Sequence, residues 1–490
     1  MRMLQEGMAR LAFCCSNAVA VALCATALVA QTPGTPTGAG WTRFGWDPGR
    51  SNVYPASTGL TGTNLASLSR QQVQMDGEVD ASPIYLRGVI VGDSVRDAFF
   101  VTTTYGKTVA IDADTGSILW TYTPPDYTSW AGSRQITSAT PVADDDGHFI
   151  YAASPDGRIQ KLAVEDGRPI WRTAITLLPQ REKIAAALNY FDGRVIATTG
   201  GYVGDAPPYQ GHVAILDAAT GALQHVWNSL CSDRPGLLDP RGCAESDSAI
   251  WGRAGAVVDV ATRHLFVATG NGRWDGRTYW GDATLELDLD ATRLLGAYTP
   301  ANTDELWSRD LDIGSSAPVL LGDGLLLQGG KDHQLRLLSI DQMRRDAGNT
   351  GGELQIVTTP AGGGLFAAPA VWHTGGSTWI FVTDGSAIAG WLLRDGLLQQ
   401  QWRVADGGTS PVVAGGLLYV YDPHGVLRAL EPASGRELAA FECGTGHWNS
   451  PIVVDGRIAV TDMSVSANRL TGTLYIWRLP GSAGRARRRM

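Results

Sequence analysis

Several side chains in the middle of the chain have the chemistry of a binding or catalytic site. An acidic stretch ends in Asp310 and Asp312, whose carboxylates could accept a proton. Lys331 follows two glycines in a chain with only four lysines, and its ammonium group could stabilise developing negative charge. The amide oxygen of Asn271 suits a hard cation, and the flat ring of Trp251 could stack on a flat ligand.

Each of these residues also has a purely structural interpretation. Trp251 could be an ordinary packing residue, and Asn271 is followed by glycine, as in a plain turn. The acidic stretch could be a solvated loop paired with Arg309, and Lys331 could lie in a surface turn. Both interpretations stay open on residue type alone.

Other motifs carry no chemistry. Gly106-Lys107-Thr108 lacks the upstream glycine of a phosphate-binding loop, and Asp144–Gly147 lacks the glutamate of a calcium-binding loop. The eight histidines are scattered singly, with no pair at metal-ligand spacing.

The elements that position these residues are repeats. The first repeated motif consists of an apolar strand, a turn containing Asp and Gly, and a second strand that ends in an aromatic residue. Asp and Gly favour the tight hairpin that joins the two strands. The copies are Ile111–Gly116 to Trp120, Glu165–Gly167 to Trp171, Leu216–Gly221 to Trp227, Arg394–Gly396 to Trp402, and Glu431–Gly435 to Phe441.

A second motif marks the start of each repeat unit. It consists of small residues, often including proline, followed by apolar residues. It occurs eight times, at Ser82, Thr140, Ala187, Trp251, Ala317, Ala368, Ser410 and Ser450. Proline is tolerated at the first position of a strand, and small residues suit the crowded centre of a ring of sheets. The sequence therefore predicts an all-β, eight-bladed β-propeller with long loops in its middle units.

The segment before the first unit start also contains a strand. Leu68–Met75 alternates apolar and polar residues, and we expect it to pair with the C-terminal strands that run to Trp477. This N-terminal strand would close the ring and protect its open edge.

From about Trp41 to Pro480 the repeat resembles the PQQ-repeat (quinoprotein) family of eight-bladed propellers, which includes quinoprotein alcohol dehydrogenases. The resemblance implies pyrroloquinoline quinone (PQQ) and Ca²⁺ as cofactors. It assigns Trp251 to the face of the quinone, Lys331 to the quinone oxygens and Asn271 to the calcium ion. Asp310 becomes the catalytic carboxylate and a metal ligand, with Asp312 as the second candidate.

Two departures from the family bear on this assignment. The run Gly200–Gly211 lacks the family's calcium-binding glutamate, and Asp205 is the available substitute ligand. The adjacent cysteines of the classical alcohol dehydrogenases are also missing from the propeller. No Cys-x-x-Cys-His motif is present, so electrons would leave through a separate acceptor.

Two functions follow from the resemblance. The first is a PQQ- and calcium-dependent dehydrogenase that oxidises an alcohol or an aldose. The alternative is a cofactor-free propeller that serves as a scaffold for a protein or glycan.

The N-terminal 30 residues predict export. Arg2 and Arg10 precede an uncharged stretch that ends in Ala18–Ala30, as in a cleaved signal peptide, with a short membrane anchor as the alternative. We therefore expect a signal at residues 1–30, one propeller at 31–480, a disordered basic tail at 481–490, and a periplasmic or secreted protein without a stable membrane span. In such a compartment Cys231 and Cys243 would form a local disulfide, which leaves Cys443 as a buried apolar residue.

The charge of the chain argues against nucleic acid as a partner. The formal net charge is −9, and it becomes more negative once the basic residues of the signal and the tail are set aside. An acidic protein lacks the basic surface that binds the phosphate groups of nucleic acid.

Overall fold

The structure is a computed structural model, and it describes residues 40–202, 204–243, 245–464 and 469–480. The expected signal peptide and basic tail lie outside these residues. Within them, the strands form eight sheets of four or five strands and one two-stranded ribbon, which confirms the eight-bladed propeller. No helix in the described ranges is long and apolar enough to cross a membrane.

Blades 1 to 4 follow one another along the chain, and each runs from an inner strand to an outer one. Blade 1 is Ile84–Val91, Ser94–Thr102, Thr108–Asp112 and Ile118–Tyr122; blade 2 is Val142–Ala143, Phe149–Ser154, Arg158–Ala163 and Pro169–Ala174. Blade 3 is Asn189–Phe191, Arg194–Thr198, His212–Asp217 and Leu223–Asn228; blade 4 is Val257–Asp259, His264–Ala268, Thr284–Asp288 and Leu294–Tyr298. The ribbon of Glu182–Lys183 and Gly200–Gly201 lies beside blade 3 in sequence.

Blades 5 to 8 complete the ring. Blade 5 is Val319–Gly322, Leu325–Gly329, Gln334–Ser339 and Gln355–Thr358; blade 6 is Ala370–Thr374, Ser377–Thr383, Ile388–Arg394 and Leu397–Val404. Blade 7 is Val412–Ala414, Leu417–Asp422, Val426–Leu430 and Glu437–Glu442, with Val53–Tyr54 added in parallel to its inner strand. Blade 8 is Ile452–Val454, Arg457–Thr461 and Gly472–Arg478, with Ser69–Met75 as its outer strand.

The N-terminal strand closes the ring as the sequence predicts. Ser69–Met75 pairs antiparallel with Gly472–Arg478 along its whole length. Val73 and Met75 turn into the core, whereas Gln72 and Gln74 are exposed. The alternation of side chains therefore fixes which face of the strand packs against the ring.

The repeated aromatic residue of one blade packs on the turn glycine of the next blade. A β-carbon added at Gly167 would lie 2.6 Å from the ring of Trp120, and one added at Gly221 would lie 2.5 Å from the ring of Trp171. The indole of Trp120 also donates a hydrogen bond to the Val164 carbonyl over 2.9 Å. The turn therefore needs glycine both for its positive φ and for the space that the aromatic ring fills.

Short helices and a strap complete the structure. The α-helices are Thr303–Arg309 and Ile340–Arg345, and the 3-10 helices are Leu65–Ser67, Tyr127–Ser129, Pro240–Gly242 and Ile313–Ser315. Residues 41–52 form a strap across the inner strands: backbone amides of blades 2, 4, 6 and 7 donate to carbonyls of Thr42, Pro48, Ser51 and Asn52. Trp251, by contrast, lies in the loop that precedes the inner strand of its blade.

Candidate functional site

Four of the candidate residues, Trp251, Asp310, Asp312 and Lys331, come together between blades 4 and 5. The Lys331 ammonium lies 2.5 Å from Asp310 Oδ1 and 2.6 Å from Asp312 Oδ1. It also lies 5.3 Å from the centre of the Trp251 ring. The Trp251 indole N–H donates a hydrogen bond to Asp312 Oδ2 over 3.1 Å. One cation, two carboxylates and one aromatic face thus form a continuous contact.

Local structure explains these positions. The loop between helix Thr303–Arg309 and the 3-10 helix Ile313–Ser315 carries both aspartates, and Asp310 ends the helix in a left-handed conformation with φ of 54°. Lys331 follows the second strand of blade 5, and its backbone N–H donates to the Asp312 carbonyl over 3.0 Å. This backbone contact aligns the lysine with the acidic loop.

The two aspartates have different environments. The Asp310 side chain is 58% exposed, whereas the Asp312 side chain is fully buried. Burial raises the pKa of Asp312, and the nearby Lys331 opposes that shift. Burial lowers the pKa of Lys331, but Asp312 and Asp310 outweigh it and the net shift is upward. Lys331 therefore stays cationic, Asp312 is fixed in the interior, and Asp310 faces water.

Asp205 lies in the same electrostatic neighbourhood. Partial desolvation raises the pKa of its carboxyl, Lys331 opposes the shift and Asp310 adds to it. The Tyr209 hydroxyl donates to Asp205 Oδ1 over 3.3 Å. Farther along, desolvation together with Asp205 raises the pKa of Asp247 to about 6, while a hydrogen bond from the Trp307 side chain opposes the rise. The rim of the site is therefore rich in carboxylates.

Asn271 has no direct contact with Trp251, Asp310, Asp312 or Lys331 among the described interactions, and it lies next to the site only through its neighbour Gly270. Its carbonyl accepts a hydrogen bond from the Ser248 amide over 2.8 Å, and the preceding Gly270 lies directly against Trp251 and Asp312. A β-carbon at Gly270 would lie 3.1 Å from Asp312 Oδ2 and 3.3 Å from the Trp251 indole nitrogen. Among the described residues, no hydrogen-bond partner is found for the Asn271 side-chain amide.

Sequence reasoning did not identify Asp282 as a residue of the site. Its side chain is fully buried, and its Oδ1 atom accepts a hydrogen bond from the Ile313 amide over 3.3 Å. Its Oδ2 atom is buried without a hydrogen-bond partner among the described residues. Burial and the proximity of Asp312 raise the pKa of Asp282 well above its usual value. Asp282 therefore adds a second buried carboxyl behind the site.

Sequence reasoning also missed an aromatic wall, formed by Phe366, His447 and Trp448 beside Trp251. Trp251 lies 5.6 Å from Trp448 and 6.0 Å from Phe366, measured between ring centres. The His447 ring stacks on Trp448 at 4.5 Å. Both Phe366 and Trp448 stand two residues before the small residue that begins a unit, a position close to that of Trp251. That shared position is the signal that could have identified them.

A cleft of about 140 Å³ opens beside this aromatic wall. Its lining includes Phe366, His447, Trp448 and Arg253. The remaining lining residues lie in and before blades 6 and 7, and they include Asp384 and Thr409.

The predicted departures from the family have structural counterparts. The described part of the Gly200–Gly211 run contains no glutamate, and the nearby Glu182 is fully buried against His212 at 3.1 Å. Cys231 and Cys243 are joined by a disulfide, as expected. Cys443 is partly buried, and burial raises the pKa of its thiol to about 12. No group of three or more His, Cys, Asp or Glu side chains in the described ranges lies close enough to hold a metal ion.

Comparison with known proteins gives matches over parts of the chain. A PQQ-repeat family model described as outer membrane protein assembly factor BamB matches residues 66–230. The polyvinylalcohol dehydrogenase of Sphingopyxis sp. (strain 113P3) is 24% identical over 210 residues, which are 40% of this chain and 31% of that protein. The quinohemoprotein alcohol dehydrogenase of Comamonas testosteroni is 25% identical over 271 residues, which are 50% of this chain and 36% of that protein. The matched part thus spans about a third of either relative.

Solved structures share the fold over nearly the whole chain. The crystal structure of the Comamonas testosteroni enzyme has a TM-score of 0.66 at 17% identity, over 92% of this chain and 82% of that one. A europium-containing methanol dehydrogenase has a TM-score of 0.66 at 16% identity, over 90% of this chain and 98% of that one. These similarities extend the propeller fold beyond the residues that the family model matches.

Proposed function

The chain is an eight-bladed propeller of the PQQ-repeat family, and from that premise we propose that it binds PQQ and oxidises an alcohol or an aldose. The observation that carries the proposal is the contact of Lys331 with Asp310, Asp312 and the Trp251 ring. The relatives' names support a quinone cofactor and an alcohol substrate.

The residues present fit a flat quinone. Trp251 offers an aromatic face, and Phe366 and Trp448 extend the aromatic surface beside it. Glycine lets the backbone approach Trp251 closely, because a β-carbon at Gly200 would lie 3.2 Å from Trp251 Cβ. Lys331 supplies a cation next to the same ring. Offset stacking and a nearby cation are the interactions that an electron-poor, oxygen-bearing ring requires.

The acidic residues fit a hard cation by their donor chemistry. Asp310, Asp205 and Asn271 offer oxygen ligands of the type that Ca²⁺ prefers, and the unpartnered Oδ2 atom of Asp282 lies behind them. Several carboxylates surround one ammonium group, so the site carries excess negative charge. This excess supports calcium as a second component of the proposal, with Asp205 replacing the family's glutamate.

Bound PQQ would accept the two electrons removed from the substrate. In this proposal the exposed carboxylate of Asp310 would take the proton from the substrate hydroxyl. Lys331 holds that carboxylate in position and supplies positive charge at the ring. Asp312 orients Trp251 by accepting its indole N–H. We further propose that the protein is exported to the periplasm or secreted, and that a separate acceptor takes up the electrons.

Titration of the purified protein with PQQ and Ca²⁺ tests the proposal. Quinone absorbance would be followed first, and a dye-linked panel of alcohols and aldoses second. The test variant is Lys331→Ala. The matched control is Lys107→Ala, which removes a lysine that lies between two strands of blade 1 and pairs with Asp76.

Stoichiometric, calcium-dependent binding that is lost in Lys331→Ala and kept in Lys107→Ala would support the proposal. No binding at micromolar PQQ would contradict it. The propeller would then be a scaffold, and its partner would be a protein or a glycan.

A further inference from the structure

His447 and Asp80 form a histidine–carboxylate pair beside the cleft. The Nδ1 atom of His447 lies 3.1 Å from Asp80 Oδ2, although 367 residues separate the two in sequence. The Asp80 side chain is 1% exposed, whereas the His447 side chain is 34% exposed. The pair thus joins a buried carboxylate to a histidine that lines the cleft.

Further contacts hold Asp80 in place. Its Oδ1 atom accepts a hydrogen bond from the Trp448 amide over 3.0 Å. Arg253 donates hydrogen bonds to the carbonyls of Asp80 and Trp448, over 2.6 Å and 3.1 Å. Burial raises the pKa of Asp80, but the hydrogen bond to His447 and the positive charges of Arg253 and Lys183 outweigh it, and the net shift is downward. Asp80 is therefore an ionised carboxylate that orients the His447 ring.

The second ring nitrogen of His447 can accept a proton. The ring stacks on Trp448, with 4.5 Å between ring centres and 14° between the planes. Among the described residues, no hydrogen-bond partner is found for Nε2, since the contact with Asp80 is made by Nδ1. The tautomer that donates Nδ1–H to Asp80 leaves a lone pair on Nε2. Asp80 and the stacked indole would both stabilise the imidazolium that forms there.

The cleft has room for one six-membered ring. Its volume of about 140 Å³ is close to that of a cavity that holds benzene, which is about 150 Å³. Phe366 lines the cleft and is 37% exposed, so it offers an open aromatic surface. A flat aromatic ring can pack on that surface in an offset or edge-to-face geometry.

Few polar groups among the described lining residues are free to bind a ligand. The Asp384 carboxylate accepts hydrogen bonds from four backbone amides and is already satisfied. The Thr409 hydroxyl is buried without a hydrogen-bond partner in the described part of the chain, and the residue is 6% exposed. A sugar ring, with a hydroxyl on nearly every carbon, would bury several of these groups unpaired. Nε2 of His447 and the Thr409 hydroxyl instead suit an aromatic ring with one hydroxyl and one further polar substituent.

We infer that the cleft binds a phenol, a single aromatic ring with an acidic hydroxyl group, and that His447 takes the phenol proton. The O–H bond of the ligand breaks, the proton passes to Nε2 of His447, and Asp80 balances the charge of the imidazolium beside the phenolate. No oxidant or reductant takes part. The inference goes beyond the proposed function and does not rest on it, because neither the quinone nor Asp310 is involved.

Titration of the full chain with 3-nitrophenol, followed by absorbance, tests the inference. At neutral pH free 3-nitrophenol is mainly protonated and nearly colourless, whereas its phenolate absorbs visible light. We expect the phenolate band to appear on binding and to saturate at an equimolar ratio. 3-Nitroanisole, in which a methyl group replaces the phenol proton, should bind at least about tenfold more weakly.

Three variants assign the effect to named side chains. His447→Gln should abolish the phenolate band, because glutamine cannot take the proton, and should weaken binding by about tenfold. The matched control is His373→Gln, because His373 lies in blade 6, contacts the Thr378 hydroxyl and is not part of the cleft lining. Thr409→Val should keep the band and weaken binding by about threefold, because the second polar contact is lost.

The comparison of 3-nitrophenol with 3-nitroanisole uses the unmodified chain, so it remains decisive even if His447→Gln folds poorly. Equal affinity for the two probes, or binding of 3-nitrophenol without the phenolate band, would overturn the inference. A band that persists in a folded His447→Gln variant would overturn it as well, because a neighbouring cation such as Arg253 would then hold the phenolate without proton transfer to His447.

Discussion

The indole nitrogen of Trp251 and the carboxylate of Asp312 are joined by a 3.1 Å hydrogen bond, although 61 residues separate them in sequence. The bond fixes the plane of an aromatic ring next to Lys331. Asp312 is fully buried and uses its other oxygen for the lysine, so a single carboxylate orients both groups. This bond is one of several contacts that connect blade 4, which begins after Trp251, with blade 5.

Replacement of Trp251 by Phe should keep an aromatic face and remove the N–H. We expect the free energy of unfolding to fall by about 1–3 kcal/mol, because a buried carboxylate oxygen loses its donor. Chemical denaturation would measure the change. The control is Trp274→Phe, whose indole N–H is buried without a described partner. A loss as large in the control would show that the bond to Asp312 is not the cause.

Substitutions of Asp310 and Asp312 should affect different properties, the first activity and the second stability. Asp310→Asn should lower kcat by about 100-fold or more, because the proposed proton acceptor is gone. Its stability should change by no more than about 0.5 kcal/mol, since the side chain is largely exposed. Asp312→Asn should instead destabilise the fold, because Lys331 loses its buried partner. Steady-state kinetics and denaturation of both variants would test this division; the reverse pattern would make Asp312 the base.

The repeat was predictable because its signals are local. The turn of Asp and Gly and the aromatic residue that follows it lie within about ten residues of each other, and their partner surface is the same turn in the next blade. The closing strand was likewise visible from the alternation around Val73. Trp251, Asp310 and Lys331 were found because family motifs surround them.

The missed residues depend on closure of the ring. Asp80 and Trp448 are far apart in sequence and far from Arg253, yet all three meet at the axis. No spacing within one repeat records such a contact. The strap of residues 41–52 was missed for a related reason, because its carbonyls pair with backbone amides and require no particular side chains.

The buried pair of His212 and Glu182 predicts a dependence of stability on pH. Burial alone would lower the pKa of His212, but Glu182 and Asn228 outweigh it and raise the pKa above its usual value. The pair's contribution should be complete below the unfolded pKa of about 6.5 and should be lost as the pH rises through the folded pKa. The free energy of unfolding of the wild type minus that of His212→Gln, measured from pH 5 to 9, should therefore decrease with pH. A flat difference would contradict this.

Closure by the N-terminal strand predicts a sharp difference between two neighbours. Val73→Asp should cost about 3 kcal/mol or more, because a charge would be buried in the core where blade 8 is completed. Gln72→Asp, one residue away on the exposed face, should change stability by no more than about 0.5 kcal/mol. Equal effects in thermal denaturation would show that the strand does not pack in this register.

Two turn glycines separate backbone strain from packing between blades. Gly221 and Gly396 occupy the same place in the repeat, with φ of 75° and 73°. A β-carbon at Gly221 would lie 2.5 Å from the Trp171 ring, whereas at Gly396 it would meet nothing within 4 Å. Gly396→Ala should therefore cost about 1 kcal/mol for the left-handed backbone. Gly221→Ala should cost about 1–3 kcal/mol more, because Trp171 must shift in the seam between blades 2 and 3.

Denaturation of Gly221→Ala in a Trp171→Leu background provides the decisive comparison, since the smaller side chain should remove most of the extra cost. If the extra cost persists there, the turn itself, rather than the ring packed on it, excludes a side chain at this position.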